Sequence, residues 1–241
     1  MIKKSKIALL ALSTLMASCI NAENSVKANI KMLIEPRLGE GVKVDSVKET
    51  PYGGLYEIKA GGEILYTDRT GKYLFVGSIY NAATSHNITK ERVDEINKIK
   101  FSELPLESAV KLVKGDGKRV IAIFEDPNCG YCKRFRQTTL KDIDNVTVYT
   151  FMYNILSEDS FVKSKNIWCA ADRNKAWDEW MISNKSAPTA PANCVTPNDQ
   201  ISALGRKLRI ASSPAIFFAD GSRILGAIDL KGLEAKLSTL K

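Results

Sequence analysis

Val120-Ile121-Ala122-Ile123-Phe124-Glu125-Asp126-Pro127-Asn128-Cys129-Gly130-Tyr131-Cys132 is the stretch on which the fold turns. Its first five residues are a continuous apolar run bounded by charge, the pattern of a strand buried on both faces. The residues from Cys129 to Leu140 then read as a helix. Cys129 therefore falls at a helix N-terminus, where unpaired backbone N–H groups and the helix dipole favour negative charge. A thiolate is stabilised in such a place, and C-x-x-C cysteines so positioned have depressed pKa values. Cys132, one turn further in, is expected to be less accessible. In this reading Cys129 attacks a substrate disulfide and Cys132 resolves the mixed disulfide by attacking Cys129. Gly130 and Tyr131 set the geometry and redox poise of the pair. Lys133, Arg134 and Arg136 add positive charge and are read as solvated helix cations. Zinc binding is the competing reading, but it needs about four ligands. No second C-x-x-C exists, and the single histidine, His86, lies far upstream. A purely structural disulfide across two intervening residues would close a strained ring.

Downstream, Val146–Met152 reads as a strand, residues 161–181 as helical, and residues 198–208 as another helix. Ala215–Phe218, a turn at Asp220-Gly221, and Arg223–Leu225 return to sheet. A helix carrying Leu233, Leu237 and Leu240 closes the chain. The order β-α-β, helices, β-hairpin and α suits an open sheet with helices on both faces.

Upstream, Pro105 and the turn Gly115-Asp116-Gly117 flank the passage into this region. Residues 87–100 read as a connecting helix with Thr89 as N-cap and Val93, Ile96 and Ile99 as its apolar stripe. Before it, Gly53-Gly54, Gly61-Gly62 and Gly71 separate the runs Leu55–Ala60, Ile64–Thr67 and Tyr73–Tyr80, an antiparallel meander. A short helical pattern with Val26, Ile30 and Leu33 precedes it. So thin a sheet is marginal alone and should seek burial against a partner.

The leading residues are a basic start, Met1–Lys6, an apolar run, Ile7–Met16, and Ile20-Asn21-Ala22 before a cleavage point. Residues 1–22 thus read as a secretory signal peptide. Met16-Ala17-Ser18-Cys19 loosely resembles a bacterial lipoprotein signal, which would put a lipid on Cys19. Either way the mature chain works where disulfides persist. Removal of the leader takes Lys3, Lys4 and Lys6 out of a net charge of +8 and removes no acid. The remaining excess is ordinary for a soluble protein and does not argue for nucleic acid. With 241 residues, 44% apolar and 26% charged, the chain fits globular usage and excludes collagen-like and disordered classes. Loss of Cys19 leaves four cysteines, which allow three pairings. Spacing favours Cys129 with Cys132, leaving Cys169 for Cys194.

At this point the sequence resembles a known family. Phe124-Glu125-Asp126, followed by Cys129-Gly130-Tyr131-Cys132, is similar to the active-site strand and helix of the bacterial periplasmic disulfide isomerases, the DsbC/DsbG group. The similarity continues through Ile167-Trp168-Cys169-Ala170-Ala171-Asp172-Arg173-Asn174-Lys175-Ala176-Trp177, Ala190-Pro191-Ala192-Asn193-Cys194 and Ser213-Pro214-Ala215. Cys-Gly-Tyr-Cys points to the DsbC side, since DsbG typically has Pro at the place of Gly130.

The resemblance implies an α+β protein of two domains. A cystatin-like dimerisation domain would occupy residues 23–86, a helical linker 87–117, and a thioredoxin-fold catalytic domain 118–241. It implies a V-shaped homodimer whose active sites face a cleft, and a structural disulfide between Cys169 and Cys194. Trp168, Trp177 and Trp180 are then core aromatics. Ser213–Pro214 would be a cis peptide beside the active-site sulfurs, with the Ser213 backbone pairing with substrate. The family usually has Thr at Ser213, so the hydroxyl is kept and a methyl dropped. General thioredoxins carry a buried acid six residues before the first active cysteine. Here that position is Ile123, and Glu125 and Asp126 are the nearby acids.

The function expected is that of a periplasmic protein disulfide isomerase acting on misfolded exported proteins. It would be kept reduced by a membrane thiol–disulfide reductase of the DsbD kind, with no metal or organic cofactor. Its rivals are a thiol–disulfide oxidase, a reductase for specific partners, and a holdase chaperone whose redox site is secondary.

Overall fold

The computed structural model describes residues 23–240. The leader expected over residues 1–22, and Cys19 with it, lie outside the described residues. The described residues divide into two compact units, the first ending at Ile96 and the second beginning at Asn97.

The first unit opens with helix α1 (residues 23–34). Strands β1 (Val44–Glu49), β2 (Tyr56–Ala60), β3 (Glu63–Thr67) and β4 (Leu74–Phe75) follow and form an antiparallel sheet in the order β1-β2-β3-β4. Gly61 and Gly62 form the two-residue β2–β3 turn with φ of +59° and +85°. Such a turn needs left-handed backbone at both positions, which glycine adopts without strain. Along β2, Tyr56, Ile58 and Ala60 are buried while Glu57 and Lys59 are half-exposed. That alternation turns one face onto Ile30 and Ile34 of α1 and leaves the other polar. A short hairpin, β5 (Tyr80–Asn81) with β6 (His86–Asn87), leads into α2 (Ile88–Ile96).

Three sequence expectations change here. Strand β1 was not among the expected runs, because Val44-Asp45-Ser46-Val47-Lys48-Glu49 is an edge strand in which only Val44 is fully buried. The expected strand over 73–80 reduces to Leu74–Phe75, and Tyr73 to Val76 are exposed. The cap of α2 is Asn87, whose side-chain oxygen accepts from Lys90 N–H at 2.8 Å. Thr89 instead turns inward: its hydroxyl accepts from Ile79 N–H and bonds the Tyr66 hydroxyl, each at 2.8 Å.

The second unit is built on a five-stranded sheet of β7 (Val110–Lys114), β8 (Arg119–Glu125), β9 (Val146–Met152), β10 (Ala215–Phe218) and β11 (Arg223–Leu225). Their order is β11-β10-β8-β9-β7, with β8 and β9 parallel and the other pairs antiparallel. Its helices are α3 (Gly130–Phe135), α4 (Glu158–Trp168), α5 (Arg173–Ser183), α6 (Asn198–Lys207) and α7 (Leu230–Ser238). Central strand β8 is apolar on both sides because both sides are covered. Ile121 and Ile123 pack with Phe135, Leu140, Leu233 and Leu237. Ala122 and Phe124 pack with Phe151, Tyr153, Ile201 and Phe217 on the opposite face.

The stretch 87–117 is not a continuous helical linker: it is α-helical over Ile88–Ile96 and makes short 3-10 turns at Phe101–Glu103 and Leu106–Ser108, and Val110–Lys114 pairs with β9 in the second sheet. The expected helix over 161–181 is two helices. Asp172 starts the second by accepting from Lys175 N–H at 3.0 Å. At the break, Cys169 is disulfide-bonded to Cys194, 25 residues on. A loop of that length stabilises the fold by about 3.5 kcal/mol in the chain-entropy account. The helix expected from Cys129 to Leu140 starts at Gly130, and its last five residues, Arg136–Leu140, widen into a π-helical turn.

Candidate active site

Strand β8 delivers Glu125, Asp126 and the following turn to the N-terminus of α3. Cys129 is the N-cap of that helix: its backbone is extended, and its sulfur accepts from Cys132 N–H at 3.2 Å. The turn before it is held rigidly. Asp126 is fully buried, and its carboxylate accepts from the N–H groups of Asn128 (2.7 Å), Ile155 (2.8 Å) and Leu156 (3.0 Å) and from the Ser160 hydroxyl (2.8 Å). A charged acceptor so fully satisfied fixes its surroundings. Trp180 adds a bond from its indole N–H to the Pro127 carbonyl at 2.6 Å.

Ser213 meets both cysteines. The Cys129 sulfur lies 3.3 Å from its carbonyl oxygen, and the Cys132 sulfur lies 2.9 Å from its hydroxyl. The same hydroxyl accepts from Asp126 N–H at 2.9 Å, which ties the loop before β10 to the end of β8. The Ser213–Pro214 peptide is cis.

Both cysteines are free thiols, Cys129 5% and Cys132 0% exposed. Their electrostatics diverge. The hydrogen bond from the Cys132 thiol, against the opposing effect of burial, holds Cys129 down to about 6. The N–H of Cys132, Ser213 and the N–H of Tyr131 add to it. Cys132 is pushed far up, first by burial, then by its hydrogen bond to Cys129, then by the Glu125 carboxylate. Near neutral pH the pair is therefore a thiolate beside a thiol. That arrangement can attack a disulfide with one sulfur and hold the other in reserve. The rate of alkylation by iodoacetamide is accordingly expected to rise with pH through a midpoint near 6 and to level off above it, against about 8.5 for a free thiol. A midpoint near the free-thiol value would contradict this electrostatic account.

Of the other sequence candidates, Tyr131 is largely exposed at the mouth of the site. An added Cβ at Gly130 would meet nothing within 4 Å, so packing alone does not require glycine there. Two expectations are corrected. Arg136 is a buried cation rather than a solvated one, 4% exposed and bonded to Glu125 through Nε at 2.8 Å. Trp168 and Trp177 are core residues, but Trp180, half-buried against the same cluster, also braces the cysteine loop, with the ammonium groups of Lys133 and Lys163 at 4.2 and 4.4 Å from its ring centre. Sequence reasoning passed over Ser160 and the 155–156 backbone, which a carboxylate placed just after a buried strand would have pointed to.

A profile for the disulfide bond isomerase protein N-terminal domain matches residues 21–90, and one for a thioredoxin-like domain matches residues 106–241. The chain is 50% identical over 198 residues to the probable thiol:disulfide interchange protein DsbC of Bordetella pertussis, covering 82% of this chain and 70% of that one. It is 30% identical over 203 residues to the thiol:disulfide interchange protein DsbC of Salmonella typhimurium, covering 82% of each. Among solved structures, a disulfide interchange protein from Neisseria gonorrhoeae is similar with a TM-score of 0.53 and 33% identity. That match covers 56% of this chain and 97% of the other.

Proposed function

Because the chain belongs to the DsbC family of thiol:disulfide interchange proteins, we propose that it is a protein disulfide isomerase whose working pair is Cys129 and Cys132. The observation that carries this reading is the placement of the two sulfurs: Cys129 caps α3 and accepts from the Cys132 N–H at 3.2 Å, while the Cys132 sulfur is fully buried and 2.9 Å from the Ser213 hydroxyl.

In the first step the Cys129 thiolate attacks one sulfur of a wrong disulfide. The substrate S–S bond breaks, a Cys129–substrate disulfide forms, and the other substrate sulfur leaves as a thiolate. A substrate thiolate then attacks the substrate sulfur of that mixed disulfide. A new substrate pairing forms, Cys129 is released as thiolate, and no net oxidation occurs. Alternatively Cys132 loses its proton and attacks Cys129, so the substrate departs reduced and a Cys129–Cys132 disulfide remains. An external dithiol donor, a membrane reductase of the DsbD kind, then returns the pair to its reduced form. Gly130 and Tyr131 shape the pair, the Ser213 hydroxyl supports Cys132, and the Ser213–Pro214 segment lies where an extended substrate would pair.

The substrates in this reading are misfolded disulfide-containing proteins of the periplasm, reached through the leader expected over residues 1–22. A homodimer through the first unit is supported by Tyr73, Leu74, Phe75 and Val76, all exposed on and beside edge strand β4. An open strand edge with such residues is a ready surface for another chain.

The test is reactivation of a scrambled multi-disulfide protein by the mature chain, prereduced and with no other thiol present. Recovery of native substrate is the expected result. Mere reduction of the substrate, or activity only after prior oxidation, would favour a reductase or an oxidase. Protection from aggregation that survives replacement of both Cys129 and Cys132 by alanine would mark a holdase.

A further inference from the structure

We propose that Lys163 is a positioning residue for the Cys129 sulfur: its ammonium joins Asn128 to Trp180, the two side chains that hold the backbone just before the attacking cysteine. This rests on Cys129 as the attacking sulfur and deepens that reading.

Lys163 stands in the middle of α4, its side chain 26% exposed. Its ammonium donates to the Asn128 side-chain oxygen at 2.8 Å and lies 4.4 Å from the centre of the Trp180 ring. It is also paired with Asp159, one turn earlier on the same helix. The Asn128 amide nitrogen donates to Asp159 Oδ2 and the Ser160 hydroxyl, each at 3.0 Å, and to the Ser157 hydroxyl at 3.1 Å. Acceptors around the nitrogen and an ammonium at the oxygen give the amide a single orientation. Trp180 reaches the chain one residue earlier, through its indole N–H to the Pro127 carbonyl at 2.6 Å. Pro127 and Asn128 are thus gripped from α5 and from α4, and Lys163 touches both grips.

Stability alone does not ask for this arrangement. A helix-surface ion pair such as Lys163–Asp159 adds little. Lys133, from α3, lies 4.2 Å from the centre of the same ring. Burial and the Lys163 charge both hold the Lys133 ammonium below its ordinary value, so the two cations oppose each other. What Lys163 adds beyond a second cation is its bond to Asn128.

The residue that follows is the one whose place matters. Cys129 caps α3 only while its sulfur meets the Cys132 N–H, 3.2 Å away. Misplacing a reacting group by 1 Å costs on the order of a hundredfold in rate. Without the ammonium, the Asn128 oxygen loses this donor and the Trp180 ring loses one of its cations. The two residues before the sulfur are then free to shift.

The test is alkylation of the reduced mature chain by iodoacetamide across pH, with reactivation of a scrambled substrate beside it. Lys163→Met keeps the alkyl stem and removes the charge. Its alkylation midpoint is expected to rise, so that the rate at pH 6, near the wild-type midpoint, falls by about threefold. Its kcat for reactivation is expected to fall by about threefold or more with KM unchanged, and its Tm to stay within roughly 2 °C of wild type. Lys163→Arg still offers a cation and an N–H donor and is expected to restore most of both rates. Trp180→Phe keeps the ring and the Lys163 charge but loses the bond to Pro127. It is expected to raise the midpoint in the same direction. The double variant Lys163→Met/Trp180→Phe is expected to be no worse than the more affected single one, since parts of one clamp do not add.

A midpoint in folded Lys163→Met equal to that of wild type overturns the proposal. So does a shift in Lys163→Met with none in Trp180→Phe, which would mark a charge acting through space. A loss that Lys163→Arg fails to restore, accompanied by a large fall in Tm, would mark a merely structural lysine and overturns it as well. Failure of the wild-type chain to reactivate scrambled substrate would instead refute the isomerase reading. The alkylation midpoints, which involve no substrate, would still decide the role of Lys163.

Discussion

Replacement of Cys129 by alanine is expected to lower reactivation of a scrambled substrate by about a thousandfold or more, to the rate without protein, since the group that forms the covalent intermediate is gone. The loss is not made up by Cys132. That thiol is fully buried and its ionisation is opposed by burial, by Cys129 and by Glu125. Cys132→Ala should behave differently. Its first exchange survives, and mixed disulfides accumulate that are visible as intact-mass adducts under non-reducing conditions. Because the Cys132 thiol is the largest influence holding Cys129 down, the alkylation midpoint of this variant should also move up toward that of a free thiol. Equal activity of wild type and Cys129→Ala would overturn the assignment. An unmoved midpoint in Cys132→Ala would overturn the electrostatic account of it.

Arg136→Ala is expected to cost about 3–5 kcal/mol, the scale found when one member of a buried ion pair is removed and the other left behind. Glu125 would then sit in a fully enclosed site without the two guanidinium donors it has now. For a domain of this size that corresponds to a fall in Tm of roughly 10 °C or more. The deficit carries a pH signature. Burial already raises the Glu125 carboxyl above its ordinary value, and loss of the opposing guanidinium raises it further. A raised folded-state value means that the folded chain binds the proton more tightly than the unfolded chain. The contribution is therefore retained below the unfolded carboxyl pKa and lost as pH rises through the folded one. Urea denaturation of wild type and variant should accordingly differ less near pH 4 than near pH 8. A gap that widens on acidification would contradict the burial of that charge.

Much of the second unit was legible in the sequence because its signals are strong and local. An apolar run as long as Val120–Phe124 has few other fates than a central strand, and a cysteine immediately after a strand-ending turn marks a helix start. The element order through residues 146–238 followed from the same cues. Strands β1 and β7 were not legible because each lies at a sheet edge and carries one buried side among lysines and acids, Val110-Lys111-Leu112-Val113-Lys114 in the second case. The break at Cys169–Asp172 was written in the capping preference of Asp172 but hidden by apolar residues on either side.

The site divides in the same way. Cys129 and Cys132 stand out by spacing, and Ser213 only through a resemblance. Arg136 looks on its helix like any surface cation, because no one-dimensional pattern announces that Glu125 and Asp178 will close over it from two other elements. Asp126 is similar: its four partners come from three stretches of chain.

Every hydrogen bond described for the cysteine pair, from Asp126 through Arg136 to Ser213, is made by residues after position 97, within one of the two units. The polar contacts described for the thiols are thus local to the second unit.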